Sequence, residues 1–343
     1  MTDPSGETIP RFLLDPSRLA EAERRFLALG WMKSGEHLRT LTKAGDGNMN
    51  CTLRADVGGA RTFIVKQGRP WVEKYPTIAA PADRTLIEGA FYRTIGRNPE
   101  LAARMPGMVG LDVEARLLAL EDLGSISDLT SLYAGQALEA TDLRELADFL
   151  CRLHATDVDD GERQTFRNED MRRLNHEHIF DLPFRVGNGL NLDAITPGLG
   201  EIAERIAADR ALVEMCSKLG AIYLAPGRCL VHGDYFPGSW IRTDRGLRII
   251  DPEFGFWGPP ELDLGVGIGH LILAGRPAGD LAAFLDHYVA SAIGDGIDRD
   301  LVFRFAGVEI LRRLLGVAQL PLPADLAKKQ ALVERARLFV VES

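Results

Sequence analysis

The stretch from Val231 to Gly265 (VHGDYFPGSWIRTDRGLRIIDPEFGFWGPPELDLG) constrains this chain most, because two short apolar runs in it each end in an acidic residue inside a turn. Arg228–Val231 reads as a buried strand running into His232-Gly233-Asp234. Leu247–Ile250 reads as a second strand running into Asp251-Pro252-Glu253. Thr243-Asp244-Arg245-Gly246 between them is a tight turn, and a hairpin of that kind places Asp234 and the Asp251/Glu253 pair on neighbouring loops. Convergent carboxylates repel one another and lose hydration, so they persist where a cation or a reacting proton compensates them. Taken singly, each acid is explained by loop geometry, Asp234 as a turn cap and Asp251 as the residue before a proline. Taken together, they predict a metal site beside a base.

Composition narrows the partner. With 40 Lys and Arg against 49 Asp and Glu, the net charge of −9 argues against a nucleic-acid or anionic-membrane surface, which leaves a small molecule. The 343 residues, 46% apolar and 26% charged, suffice for one large soluble domain or two lobes. Cys51, Cys151, Cys216 and Cys229 lie far apart in apolar runs without metal-ligand spacing, the pattern of buried thiols in a reducing cytoplasm. No apolar run approaches the ~20 residues of a membrane span, and the first thirty residues do not read as a signal peptide.

Along the chain, residues 1–10 form a loose terminus and Asp15-Pro16-Ser17 opens a helix to about Leu29. In Thr42–Gln67 a turn at Gly45-Asp46-Gly47-Asn48 precedes an alternating strand, a Gly58-Gly59 turn and a return strand ending near Lys66. Glycines without Cβ let backbone N–H groups approach phosphate, although an ordinary hairpin is the commoner explanation and Lys66 alone would be a solvated strand lysine. Ala82–Ile95 reads as a helix carrying Glu88, and Leu117–Leu120 as a buried strand leaving through Glu121-Asp122-Leu123-Gly124. Asp142–His154 is an amphipathic helix that ends on a structural histidine, and helices continue over 200–219, 281–292 and 301–318. The Gly265, Gly267 and Gly269 series lacks the last glycine of a dinucleotide fingerprint, so close helix packing explains it better. Arg312-Arg313 between apolar residues must face a carboxylate, a phosphate or a sugar, with an interlobe salt bridge the plain alternative.

His232-Gly233-Asp234, Ser239 five residues later and a strand ending in Asp251 resemble the aminoglycoside phosphotransferase and choline kinase superfamily, which shares the protein-kinase fold. Within it the chain looks most like the 5-methylthioribose kinases. Ser239 stands where most of the superfamily has asparagine, Asp251-Pro252-Glu253 forms an Asp-x-Glu, and Gly45–Asn50 resembles a GDGNxN loop. The resemblance covers most of residues 40–318. It implies an α+β, bilobal protein-kinase-like fold, with a β-rich N-terminal lobe over 1–122 and a mostly helical C-terminal lobe over 123–343. It implies transfer of a γ-phosphate from ATP, with GTP left open, to a hydroxyl of a sugar-like small molecule in the presence of Mg²⁺.

The roles carried over are these. Gly45, Gly47, Asn48 and Lys66 hold the nucleotide phosphates, Glu88 fixes Lys66, and Glu121 and Leu123 form the hinge for the base. Asp234 is the catalytic base, and Asp251, Glu253 and Ser239 bind metal. Asp234, Tyr75, Trp257, Arg312 and Arg313 meet the acceptor. Tyr75 replaces a usual tryptophan and Gln319-Leu320-Pro321 replaces a histidine-containing continuation, so a phosphotransferase for a nucleoside-type antibiotic or an aminoglycoside is the alternative. A nucleotide-binding pseudokinase would have lost a catalytic or metal acid, whereas Asp234, Asp251, Glu253 and Lys66 are all present. A homodimer stays open.

Overall fold

The computed structural model describes residues 12–45, 47, 49–124, 127–320 and 322–342. The chain divides into two compact units, Met1–Ile126 with Arg248–Phe254, and Ser127–Leu247 with Gly255–Ser343.

In the first unit, helix α1 (Leu19–Ala28) precedes strands β1 (Thr40–Lys43), β2 (Cys51–Asp56), β3 (Thr62–Gln67), β4 (Trp71–Val72) and β5 (Tyr75–Ala79). Helices α2 (Arg84–Ile95) and α3 (Pro99–Ala102) and strands β6 (Met108–Asp112) and β7 (Leu117–Glu121) follow. Five of the strands form an antiparallel sheet in the order β1-β2-β3-β7-β6. Alternation in β2 buries Cys51, Leu53 and Ala55 and turns Thr52, Arg54 and Asp56 outward. β7 lies inside the sheet and is apolar on both faces from Leu117 to Leu120. Phe26 of α1 packs on this core with Trp31 and Phe63, and each such buried side chain contributes about 2 kcal/mol.

The second unit is mostly helical: α4 (Ala140–His154), α5 (Asp160–Thr165), α6 (Glu169–His176), α7 (Leu199–Ala208) and α8 (Arg210–Leu224) come first. Strands β8 (Cys229–Val231), β9 (Trp240–Thr243), β10 (Gly246–Ile249) and β11 (Phe256–Gly258) come next, then α9 (Pro260–Leu273), α10 (Ala278–Val289), α11 (Arg299–Leu315) and α12 (Leu326–Glu342). The helices expected over 200–219 are α7 and α8, divided where Asp209 leaves helical geometry and its carboxylate caps the N–H of Leu212 at 3.2 Å. α9 lies against α11 through the glycine series: a Cβ on Gly265 would stand 2.5 Å from Phe305 Cβ, and one on Gly269 3.0 Å from the Ala306 carbonyl. The glycines therefore serve helix packing.

Two expectations are corrected. The Thr243–Gly246 turn joins β10 to β9, whereas β8 pairs with β11 in the register Val231↔Phe256. Trp240 and Ile241, adjacent and both buried, break the alternation that would have marked β9 as a strand. The division after residue 122 also fails for Arg248–Phe254. That segment belongs to the first unit, where the Ile249 N–H bonds the Arg104 carbonyl at 2.8 Å. Cys51, Cys151, Cys216 and Cys229 are buried and free, and among the described residues no helix is long and apolar enough to cross a membrane.

Candidate active site

The first unit gathers charge around Lys66, near the end of β3. Its ammonium donates to Glu88 Oε1 of α2 at 2.6 Å and also bonds Asp251 Oδ1. Burial alone would lower the lysine pKa, but the carboxylates of Asp251 and Glu88 raise it well above its ordinary value. Burial pushes Glu88 up to about 7 against the pull of Lys66. Asp251 sits at φ 62°, a left-handed backbone that costs a non-glycine residue energy. The turn it makes sends Glu253 inward, where burial pushes its carboxyl up to about 8 despite Arg84. Asn50 links these parts: its Nδ2 donates to Glu253 Oε2 at 2.8 Å, and its Oδ1 accepts from Arg84 Nε at 2.7 Å. The remaining nitrogens of Arg84 hold loop carbonyls, including that of Met49 at 2.6 Å.

Gly45, at φ 77°, and Gly47 both have open space where a Cβ would be, the condition for close approach of a ligand to the backbone. Asn48 lies outside the described residues. Glu121 ends β7 with its N–H on the Gly107 carbonyl at 2.7 Å, and Leu123 is half-buried after it. Tyr75 is exposed on the β4–β5 ribbon, with the Lys74 ammonium 5.7 Å from its ring centre.

In the second unit Asp234 follows β8 in a loop held from beneath. The carboxylate of Asp263, on α9, accepts from the backbone N–H of His232 at 2.6 Å and of Gly233 at 2.9 Å. His154 braces the same carboxylate at 3.2 Å and touches the Tyr288 hydroxyl at 2.8 Å, the structural role expected of it. Asp234 Oδ1 accepts from Nη2 of Arg312 and from Nη2 of Arg313, each at 2.9 Å. Asp234 Oδ2 has no hydrogen bond among the described residues.

Adjacent helical residues point about 100° apart, which predicts that one arginine aims straight at the site while the other braces it or reaches the phosphate. That expectation is corrected, because both long side chains bend onto one oxygen. Glu309, three and four residues before them on α11, accepts from both Nε atoms. Its carboxyl is held well below the usual range, the two guanidinium groups outweighing burial. The Arg313 guanidinium also lies 4.7 Å from the Phe236 ring centre. Ser239 turns its hydroxyl onto the Asp234 carbonyl at 3.1 Å.

Trp257, on β11, lies elsewhere in the second unit. Its ring faces the Arg163 guanidinium at 5.0 Å and lines a cavity of about 680 Å³ whose walls include neither Asp234 nor the arginine pair. Arg172 in that cavity is engaged on the Tyr223 and Ala225 carbonyls, closing the C-terminal end of α8.

Asn50, Arg84, Asp263 and Glu309 were missed as site residues from sequence. For Glu309 the signal was available, since an acid three and four residues before a pair of apolar-flanked arginines shares their helix face. Asn50, Arg84 and Asp263 act through contacts distant in sequence, and no local pattern marks them.

A profile of the phosphotransferase enzyme family matches residues 42–300. The methylthioribose kinase of Exiguobacterium sibiricum is 26% identical over 92% of this chain and 89% of its own length, and that of Bacillus pumilus 27% over 85% and 82%. Among solved structures, a spectinomycin phosphotransferase bound to ADP and spectinomycin aligns with a TM-score of 0.58 at 13% identity, covering 96% of this chain and 99% of that one. A choline kinase from Streptococcus pneumoniae aligns with a TM-score of 0.55 at 16% identity, covering 94% and 99%. The α+β, kinase-like fold is thereby shared with small-molecule kinases, and the match over most of its length makes this chain a member of the phosphotransferase enzyme family, an enzyme that phosphorylates a hydroxyl of a small molecule.

Proposed function

We propose that the chain transfers the γ-phosphate of ATP to a hydroxyl of 5-methylthioribose or a closely related furanose. The observation that carries this reading is Asp234, with one carboxylate oxygen held by two arginines and the other open. Asp234 Oδ2 takes the proton of the acceptor hydroxyl as its oxygen bonds to the γ-phosphorus, and the bond from phosphorus to the β-phosphate oxygen breaks to release the nucleoside diphosphate. Lys66, kept charged by Glu88 and Asp251, neutralises the donor phosphates. The backbone at Gly45 and Gly47 closes on those phosphates, and the chain leaving β7 through Glu121 and Leu123 meets the base.

The donor set suits Mg²⁺, a hard cation that takes one or two carboxylates and keeps water and phosphate oxygens for the rest. Asp251 and Glu253 would hold the ion, and Ser239 is carried as a ligand on resemblance alone. Bound there, Mg²⁺ supplies positive charge to the phosphate oxygens.

On the acceptor side the guanidinium groups favour paired hydroxyls or an oxyanion and repel an ammonium-rich ligand. Tyr75 and Trp257 are carried as acceptor contacts on resemblance alone. The test is a nucleoside-diphosphate release screen over thiosugars, pentoses, nucleoside antibiotics and aminoglycosides. Preferred turnover of a thiosugar or ribose-like acceptor is expected, and an aminoglycoside as best substrate would overturn the acceptor assignment while leaving the kinase chemistry in place.

A further inference from the structure

Behind the arginine pair runs a buried chain of three groups that proton transfer itself does not use. The Tyr133 hydroxyl lies 2.6 Å from His270 Nδ1, and His270 Nε2 lies 2.8 Å from Glu309 Oε1. Glu309 Oε1 also accepts from Arg313 Nε at 2.7 Å, and Glu309 Oε2 accepts from Arg312 Nε. His270 is completely buried and Glu309 nearly so. We infer that Glu309 is the positioning residue of the acceptor side, kept in register by His270 and Tyr133, and that it aims both guanidinium groups at Asp234 Oδ1 so that Oδ2 is left for the acceptor hydroxyl. This rests on the phosphotransfer reading above.

The chemistry of each link supports the assignment. A carboxylate has two oxygens, and here each takes one Nε–H, so a single residue anchors two side chains that leave the helix about 100° apart. Hinged at Nε, each guanidinium presents Nη2 in a fixed direction, and both meet Asp234 Oδ1. The histidine between them has one usable tautomer. Burial holds His270 down at about 4, so near neutral pH the ring carries one proton. Glu309, a carboxylate, only accepts, which requires the proton on Nε2; Nδ1 then accepts from the Tyr133 hydroxyl. Glu309 therefore selects the tautomer, and the tyrosine, donating to Nδ1, holds the ring in the orientation that aims Nε2–H at Glu309.

Glutamine at 309 would offer one acceptor oxygen and one N–H₂ donor, and the donor would face an Nε–H, so only one arginine could be held. The experiment compares the wild type with E309Q, H270L, H270Q and Y133F, measuring steady-state kinetics in both substrates, ADP binding by calorimetry and thermal unfolding. E309Q is expected to raise the acceptor KM and lower kcat by about tenfold each, with ADP affinity changed less than about twofold. H270L should follow E309Q, whereas H270Q, which returns an N–H close to the position of Nε2, should recover to within about threefold of wild type.

If E309Q does not fold, Y133F decides, with an expected acceptor KM rise of about threefold at unchanged ADP affinity. Wild-type acceptor kinetics in E309Q and H270L, or in Y133F where that variant decides, would sink this inference alone. Acceptor and nucleotide constants worsening together would overturn it in favour of a merely structural role. A wild-type chain that phosphorylates no hydroxyl acceptor would remove the phosphotransfer reading and the inference with it.

Discussion

Asn50 donates its side-chain amide to Glu253 at 2.8 Å, tying the second acid of the Asp-x-Glu segment to the residue that closes the glycine-rich loop. The amide cannot turn over without facing Arg84 Nε with a donor. Asn50→Ala removes one partner from each of two buried groups, Arg84 and Glu253, and should cost about 1–3 kcal/mol of stability. Because Glu253 then loses its orientation, the Mg²⁺ concentration for half-maximal rate should rise roughly threefold to tenfold, with the acceptor KM unchanged. Thermal unfolding and a Mg²⁺ titration check both parts; an unmoved Mg²⁺ midpoint would separate Asn50 from metal binding.

Glu88 fixes Lys66 from α2, and Glu88→Gln replaces the ion pair with a neutral contact in a fully buried position. The nucleotide KM should rise about tenfold while the acceptor KM stays within about twofold. Fluorescent nucleotide titration reads this directly, and equal loss on both substrates would mean that Glu88 acts through stability only.

Asp234→Asn keeps shape but removes the proposed proton acceptor. Turnover should fall by at least ~10²-fold with nucleotide affinity within a few-fold. Single-turnover phosphoryl transfer is the measurement, and undiminished transfer would reassign the base.

Acid should destabilise the protein through His270. Its folded-state pKa of about 4 lies below the ordinary 6.5, so between those values the unfolded chain binds a proton that the folded chain does not. Stability is then intact above pH 6.5 and falls as pH drops toward 4, by roughly 3 kcal/mol in all. Denaturant unfolding from pH 7 to 4 should show this slope in the wild type and a shallower one in H270Q.

The parts of the fold readable from sequence were those whose pattern is local. The β2–β3 hairpin is written in alternation and a Gly58-Gly59 turn, β7 in an unbroken apolar run, and α4 in its apolar stripe. The Lys66–Glu88 pair was legible only through the resemblance, since a lysine late on a strand and an acid on the next helix are unremarkable by themselves, and the structure pairs them. The partner of β8 was not legible, because strand pairing depends on contacts that no residue signals in its own neighbourhood, and β9 hides its period behind two adjacent buried residues. The convergence of Arg312 and Arg313 was misjudged for a related reason. Helical geometry fixes where a Cβ points, but a guanidinium at the end of a long flexible side chain goes where its acid holds it.

The first unit takes seven of its residues, Arg248–Phe254, from far along the chain. On a ribosome the five-stranded sheet emerges complete while Asp251 and Glu253 are still more than a hundred residues from synthesis. Until then Lys66 has Glu88 alone, and the amide of Asn50 has no acid to orient. Nascent chains in which residue 254 is still inside the ribosome and chains in which it has emerged should therefore differ in how well this unit resists protease, and the first unit is completed only after most of the second has been made.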